Sequence, residues 1–204
     1  TDFEKNNVSV EKVVININRS GMKKSFLFLA DGFEDIEAIA VVDILRRGGV
    51  EVQTVSITEQ KQVKSAHGVV VIADRMFEEI KWEEADCLIC PGGMPGAQYW
   101  SEHHPLLQLL QQQYESDRLI AAICAAPALV FGKLVFGKQL KMTCYPGFEG
   151  VLPVHFELSS QGVVRDGNVI TAKGPGFAVQ FGLAILEQLR SVDIAKEVAA
   201  GMLI

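Results

Sequence analysis

The sequence predicts an α/β fold with a mostly parallel central sheet. Strand-like and helix-like segments alternate along the chain, the pattern of successive βαβ units. The apolar runs at residues 87–90 and 119–123 lack polar alternation, as strands covered on both faces do. No internal repeat or linker interrupts the pattern, so the 204 residues read as one domain with a sizeable core.

The elements follow in order. Met22-Lys23-Lys24 reads like a natural start feeding a first strand at residues 26–30. Residues 1–21 then form an N-terminal extension, a leader or a misassigned start, ahead of a single domain over residues 22–204. Within that extension, residues 12–17 have the character of an edge strand. A helix over residues 34–47 carries Ile36, Ile39, Ala40, Val42, Ile44 and Leu45 near helical spacing, and Gly48-Gly49 stops it. Residues 50–57 form a strand. Residues 69–73 form another, paired with a neighbour through the polar turn region 58–64. A short helix covers residues 77–84, and Pro91-Gly92-Gly93 ends the strand at 87–90. A helix over residues 106–115 follows Pro105. The strand at 119–123 runs into a helix over 126–133. A further strand is expected at 141–144. Asp166-Gly167 centres a hairpin within 163–171. Gly174-Pro175-Gly176 precedes a helix at 177–189, and an amphipathic helix over 192–203 ends the chain.

Composition narrows the function classes. A hydrophobic share of 49% excludes a disordered chain. With 19 basic against 25 acidic residues, the net charge of -6 argues against nucleic acid as a main partner. Basic residues cluster only as Lys23-Lys24 and Arg46-Arg47. Four widely spread cysteines do not form a disulfide framework for a chain of this size. With no signal-peptide pattern and no apolar run of bilayer length, no membrane association is expected, and a reducing cytoplasm is the expected compartment.

The most informative stretch is residues 119–128. A short apolar strand leads directly into small residues and Pro127, which suits the first turn of a helix. Between them stands Cys124. A tight strand-to-helix turn places this thiol at the carboxyl end of the sheet, beside unpaired backbone amides and a helix dipole that favour thiolate. The α/β-hydrolase nucleophile elbow has the same build, with Ser in that place. The plainer alternative is a buried cysteine that only packs.

In an open α/β sheet, ligands sit outside the carboxyl ends of the strands. Three loops fall there: residues 31–37, residues 91–96, and the Cys124 turn. Glu37 lies a few residues into the first helix, where its side chain points back toward the strand end. A carboxyl beside a thiolate cannot easily stay ionised, so the two share a proton, with Glu37 as acid and Cys124 as nucleophile. Taken alone, Glu37 also reads as an ordinary solvated helix carboxylate. Glu34 and Asp35 read as solvated first-turn acids favoured by the dipole. Gly92-Gly93 lets backbone amides approach an oxyanion closely, and with the amide of Ala125 would form an oxyanion hole.

The ordered set Ala30-Asp31-Gly32-Phe33-Glu34-Asp35-Ile36-Glu37, Ile89-Cys90-Pro91-Gly92-Gly93, Ala122-Ile123-Cys124-Ala125-Ala126-Pro127 and Lys173-Gly174-Pro175-Gly176 closely resembles the ThiJ/PfpI superfamily. The resemblance lies with the branch of the parkinsonism-associated deglycase and its bacterial ThiJ/YajL relatives. It implies a flavodoxin-like three-layer sandwich of the class I glutamine amidotransferase-like kind and a homodimer. It also implies a cofactor-free Cys124 nucleophile partnered by Glu37, with Gly93 and Ala125 donating oxyanion-hole amides. Members of the family are reported as glutathione-independent glyoxalases, protein deglycases, redox-responsive chaperones and oxidation sensors.

The departures from the family pattern are informative. The peptidase-like branch carries a histidine directly after the cysteine; Ala125 stands there, which argues against a Cys-His protease. Tyr145, in Thr143-Cys144-Tyr145-Pro146, occupies the place of a histidine in some relatives. A phenol is a poor base at neutral pH, so acid–base work falls on Glu37. His67 stands where relatives often have arginine, near the site or across the dimer. Gly92, Tyr145 and His67 are therefore read as substrate-binding positions.

Other candidates carry less. Cys87 and Cys90 lie three apart in a strand and point to opposite faces, so they read as core rather than as a redox pair. The adjacent His103 and His104 diverge and have no third ligand, so no metal site is read. The leading expectation is a glyoxalase or deglycase acting on methylglyoxal, glyoxal or their adducts, in carbonyl and oxidative stress protection. The alternative is a redox-sensing stress chaperone that works through oxidation of Cys124. A thiamine-thiazole biosynthetic protein or an intracellular peptidase ranks below both.

Overall fold

The computed structural model describes residues 21–153 and 156–204. The edge strand read at residues 12–17, nearly all of the 1–21 extension and His155 lie outside the described residues.

A seven-stranded sheet forms the centre, in the order β10-β11-β7-β6-β1-β2-β5. Its strands are β1 (Lys24–Leu29), β2 (Glu51–Ser56), β5 (Arg75–Met76), β6 (Cys87–Cys90), β7 (Leu119–Ile123), β10 (Val163–Asp166) and β11 (Val169–Ala172). All neighbours run parallel except β10, which pairs antiparallel with β11 across the Asp166-Gly167 turn. β6 and β7 are buried at every position, which accounts for their unbroken apolar runs.

Two details of strand geometry differ from expectation. The 58–64 region contains a strand of its own, β3 (Gln62–Lys64), which forms an antiparallel hairpin with β4 (Val70–Ile72). The strand expected at 141–144 is β8 (Leu140–Met142). It leaves the main sheet to pair with β9 (Phe156–Leu158).

The helices are α1 (Asp35–Arg47), α2 (Gly96–Glu102), α3 (His104–Glu115), α4 (Ala126–Leu129), α5 (Ala178–Leu189) and α6 (Val192–Gly201). The chain over 77–84 is two separate 3-10 turns, not one helix. Five residues apart, Phe77 and Trp82 instead close an aromatic cluster, with ring centroids 4.8 Å apart. α2 carries no clear helical periodicity in the sequence; what holds it is Trp100, fully buried at its end.

Helix α1 lies against α5 at close range. A Cβ at Gly182 would sit 2.9 Å from Ile44 Cδ1, and one at Gly48 would sit 2.2 Å from Leu186 Cδ1. These two glycines let the helix backbones approach and bury Ile44 and Leu186 completely. Each such aliphatic side chain contributes about 1.5–3 kcal/mol on burial.

The topology fixes where a ligand would bind. From β1 the chain crosses through α1 to β2 on one side. From β6 it crosses through α3 to β7 on the other. Right-handed crossovers in opposite directions put α1 and α3 on opposite faces of the sheet. Strand order therefore reverses between β1 and β6, and a crevice opens beyond their carboxyl ends.

Candidate active site

Cys124 follows β7 in left-handed backbone, with φ at 67°, a conformation strained for a residue with a side chain. Two hydrogen bonds hold it there. Its N–H donates to the Ala172 carbonyl at the end of β11 (2.9 Å), and its carbonyl accepts from Tyr145 N–H (2.8 Å). The next residue, Ala125, is already helical and opens α4, with Pro127 in the first turn. This geometry turns the thiol out of the sheet while leaving it 9% exposed.

Glu37 comes from the first turn of α1 and is fully buried. Its Oε2 accepts the Gly92 N–H at 2.7 Å. Its Oε1 is buried without a hydrogen-bond partner, and its carboxyl interacts with the Cys124 thiol. Gly92 is required here: an added Cβ would lie 2.4 Å from both Cys124 Cβ and Glu37 Oε2, and 3.0 Å from Cys124 Sγ. Gly93 has φ at 97°, and its Cβ would meet the Gly32 carbonyl at 2.3 Å. The backbone amides of Gly93 and Ala125 both point at Cys124 Sγ.

Burial dominates the electrostatics. It pushes the Glu37 carboxyl up from 4.5 to about 7, helped by the Glu34 charge and opposed by the Gly92 amide and the Cys124 thiol. Burial also pushes the Cys124 thiol up to about 12, joined by the charge of Glu37 and opposed by the Gly93 and Ala125 amides. The charge of Glu37 opposes ionisation of the thiol, while the Cys124 thiol eases ionisation of the carboxyl, so the two titrate as one coupled site.

The remaining sequence-derived residues fall at differing removes. Tyr145 is bonded to Cys124 through its backbone; the residue is 44% exposed and its ring lies over Gly174 and beside Phe148. His67 is tied elsewhere: its exposed ring bonds Asp35 Oδ2 through Nδ1 at 2.8 Å. Asp35 draws the imidazole above its usual range. The ligand atoms of Glu34, Asp35 and His67 lie within 4.8 Å of one another. Asp35 also accepts from Ser65 Oγ, so this group fastens the β3–β4 hairpin to the start of α1. His103 is structural, accepting the Leu106 N–H at the start of α3. Cys87 and Cys90 are fully buried free thiols, and burial raises both.

One residue at the site differs from its sequence reading. Glu34 is not a solvated acid but is 8% exposed. It caps α1 through Oε2, which accepts the Glu37 N–H at 2.8 Å. The Glu34-x-x-Glu37 spacing is the available signal, since acids three apart at a helix start form a capping arrangement.

Comparison with known proteins agrees with this architecture. The DJ-1/PfpI family matches over residues 23–188. Protein DJ-1 homolog B of Arabidopsis thaliana is 36% identical over 88% of this chain, which spans only 41% of that relative's length. The glutathione-independent glyoxalase DJR-1.2 of Caenorhabditis elegans is 34% identical, over 84% of this chain and 91% of its own. The crystal structure of Drosophila melanogaster DJ-1beta superposes with a TM-score of 0.85 at 33% identity. That match covers 90% of this chain and 99% of the other. Shared over most of its length, in sequence and in a flavodoxin-like fold of the glutamine amidotransferase type, the chain belongs to the DJ-1/PfpI family.

Proposed function

We propose that this protein is a cofactor-free, cysteine-dependent glyoxalase or deglycase acting on methylglyoxal, glyoxal or their early adducts, in protection against carbonyl and oxidative stress. The observation that carries the reading is the buried Glu37 carboxyl, with one oxygen unpartnered, sharing the space above Gly92 with the Cys124 thiol. The glyoxalase name of the nematode relative supports it.

In this reading the Cys124 thiolate adds to the aldehyde carbon of methylglyoxal. Glu37 gives its proton to the oxygen, forming a hemithioacetal. The amides of Gly93 and Ala125 hold the developing oxyanion. The Glu37 carboxylate then takes the proton from the former aldehyde carbon and returns it to the neighbouring carbon. The hydroxyl proton passes between the two oxygens. The resulting lactoyl thioester is hydrolysed by water to lactate and free Cys124. Gly92 fixes the carboxyl, and the exposed ring of Tyr145 borders the mouth. His67 would act on a substrate anion only from the hairpin side.

The test is methylglyoxal loss and lactate appearance without glutathione. Wild type is expected to turn over, and Cys124→Ser and Glu37→Gln to fall by at least a hundredfold. Full turnover by Glu37→Gln would overturn this mechanism. A second reading uses the same thiol: two equivalents of peroxide oxidise Cys124 through sulfenic to sulfinic acid, with release of water. The Gly93 and Ala125 amides and a protonated Glu37 would hold the sulfinate oxygens. Peroxide oxidation of another cysteine first would remove its basis.

The same proposal includes a homodimer in a reducing compartment such as the cytoplasm. Ile36 and Ile39 on α1, with Val69, Val70 and Ile72 on the hairpin, are between 46% and 64% exposed. The hairpin is joined to the α1 loop by Gly32 N–H to Lys64 O and Ala66 N–H to Phe33 O, both 2.8 Å. An exposed apolar set of this kind marks an interface. Among the described residues no helix is long and apolar enough to cross a membrane.

A further inference from the structure

We infer that Glu34 is a positioning residue for the reaction, holding Glu37 in place by its backbone amide and biasing the shared proton toward Glu37 and away from Cys124. This rests on the proposed pairing of Glu37 with Cys124.

The geometry is specific. Glu34 is more than nine-tenths buried, at the point where the loop after β1 meets the loop after β6. Its Oε2 accepts the Glu37 N–H at 2.8 Å. Its own N–H donates to the Gly92 carbonyl at 2.8 Å, and the Gly92 N–H donates to Glu37 Oε2 at 2.7 Å. Glu34, Gly92 and Glu37 thus close a ring of three hydrogen bonds. The ring fixes the Glu37 backbone from one side and its carboxylate from the other.

Charge adds a second effect. Glu34 stands one helical turn from Glu37, and its negative charge opposes ionisation of that carboxyl. Glu37 itself is the charge that bears on Cys124. The effect of Glu34 is therefore directional: it favours the proton on Glu37, and with it the thiolate form of Cys124. The other elements at Glu37 bring little charge. The β6 loop brings the Gly92 amide to Glu37, and the β7 turn brings the Cys124 thiol. Asp35, the neighbouring acid, is occupied by Ser65 Oγ and the His67 ring.

The test reads the proton without a substrate. The rate of Cys124 alkylation by iodoacetamide is measured from pH 5 to 9 for wild type, Glu34→Gln, Glu34→Ser, Glu34→Asp and Glu37→Gln. Both Gln and Ser at position 34 keep an acceptor for the Glu37 N–H and remove the charge, so a folding failure of one leaves the other. With the charge gone, the proton shifts toward sulfur. Alkylation at pH 7 is expected to fall about tenfold, the equivalent of one pH unit in proton affinity, and Glu34→Asp is expected to recover most of it. Unchanged profiles for both neutral variants would overturn the inference. If Glu37→Gln shifts the profile and they do not, Glu34 alone is excluded. If Glu37→Gln also matches wild type, the pairing fails with it.

Discussion

Glu37→Gln is expected to stabilise the fold at pH 8 while removing turnover. The carboxyl lies at about 7 in the folded protein against an ordinary 4.5, with burial as the main cause and the Glu34 charge second. Between those values the folded chain holds a proton that the unfolded chain has released. Stability contributed by this group is therefore complete below pH 4.5 and declines as pH rises to about 7. At about 1.4 kcal/mol per pH unit, the loss reaches about 3 kcal/mol. Gln cannot ionise, and its amide oxygen still accepts from Gly92, so the variant escapes this loss. The assay is thermal unfolding of both proteins at equal concentration from pH 4.5 to 8. Other carboxylates titrate alike in the two and cancel in the difference. At roughly 2–4 °C per kcal/mol for a domain of this size, the variant should gain roughly 6–12 °C over wild type at pH 8, and little at pH 4.5. A difference that stays flat across this range would show that Glu37 is not held protonated by its surroundings. The acid role assigned to it would then fall.

Three further outcomes follow from the same geometry. Gly92→Ala places a methyl group 2.4 Å from both Cys124 Cβ and Glu37 Oε2; it should cost about 1–3 kcal/mol in denaturant unfolding and abolish Cys124 alkylation. Mass spectrometry after brief alkylation of the native protein should find Cys124 modified before Cys144, which is 2% exposed, with Cys87 and Cys90 modified only on unfolding. Val70→Glu should convert the proposed dimer to monomer in sedimentation velocity while leaving the monomer folded, since Val70 is 51% exposed; an unchanged sedimentation coefficient would place the interface elsewhere.

The parts of the fold legible in the sequence are those governed by local periodicity. Strands β6 and β7, the existence of helix α1 though not its buried face, the Asp166-Gly167 hairpin and the glycine stops at Gly48-Gly49 each follow from neighbours within a turn or a strand. The parts that escaped depend on distant partners. α2 is held by the burial of Trp100, β8 is drawn off to β9, and the 77–84 segment is shaped by packing of Phe77 and Trp82 on Phe28. At the site, the strand-helix turn around Cys124 is written in the chain, because apolar strand, cysteine, small residues and proline stand in one run. The burial of Glu34 is not. An acid at the start of a helix looks solvated until the β6 loop closes over it, and only the third-residue spacing to Glu37 hints at the cap.

The sequence pattern credits the α4 amides and dipole with making Cys124 a thiolate, but the magnitudes favour a different source. α4 has only four residues, Ala126–Leu129, too short for a full macrodipole, and the attraction of a helix start is about 0.3–1 kcal/mol at exposed sites. Burial works against it and, with the charge of Glu37, pushes the thiol up to about 12. Two backbone amides cannot offset that alone. Removal of the neighbouring charge takes away the second cause of the rise: once Glu37 carries the proton, its repulsion is gone and its O–H becomes a donor to sulfur. In this account the thiolate is created by protonating its neighbour. Reactivity should then follow the carboxyl rather than the helix. A variant that shortens the acid, Glu37→Asp, should slow Cys124 alkylation more than one that disturbs the helix start at Pro127→Ala. The reverse order would return the main role to the turn.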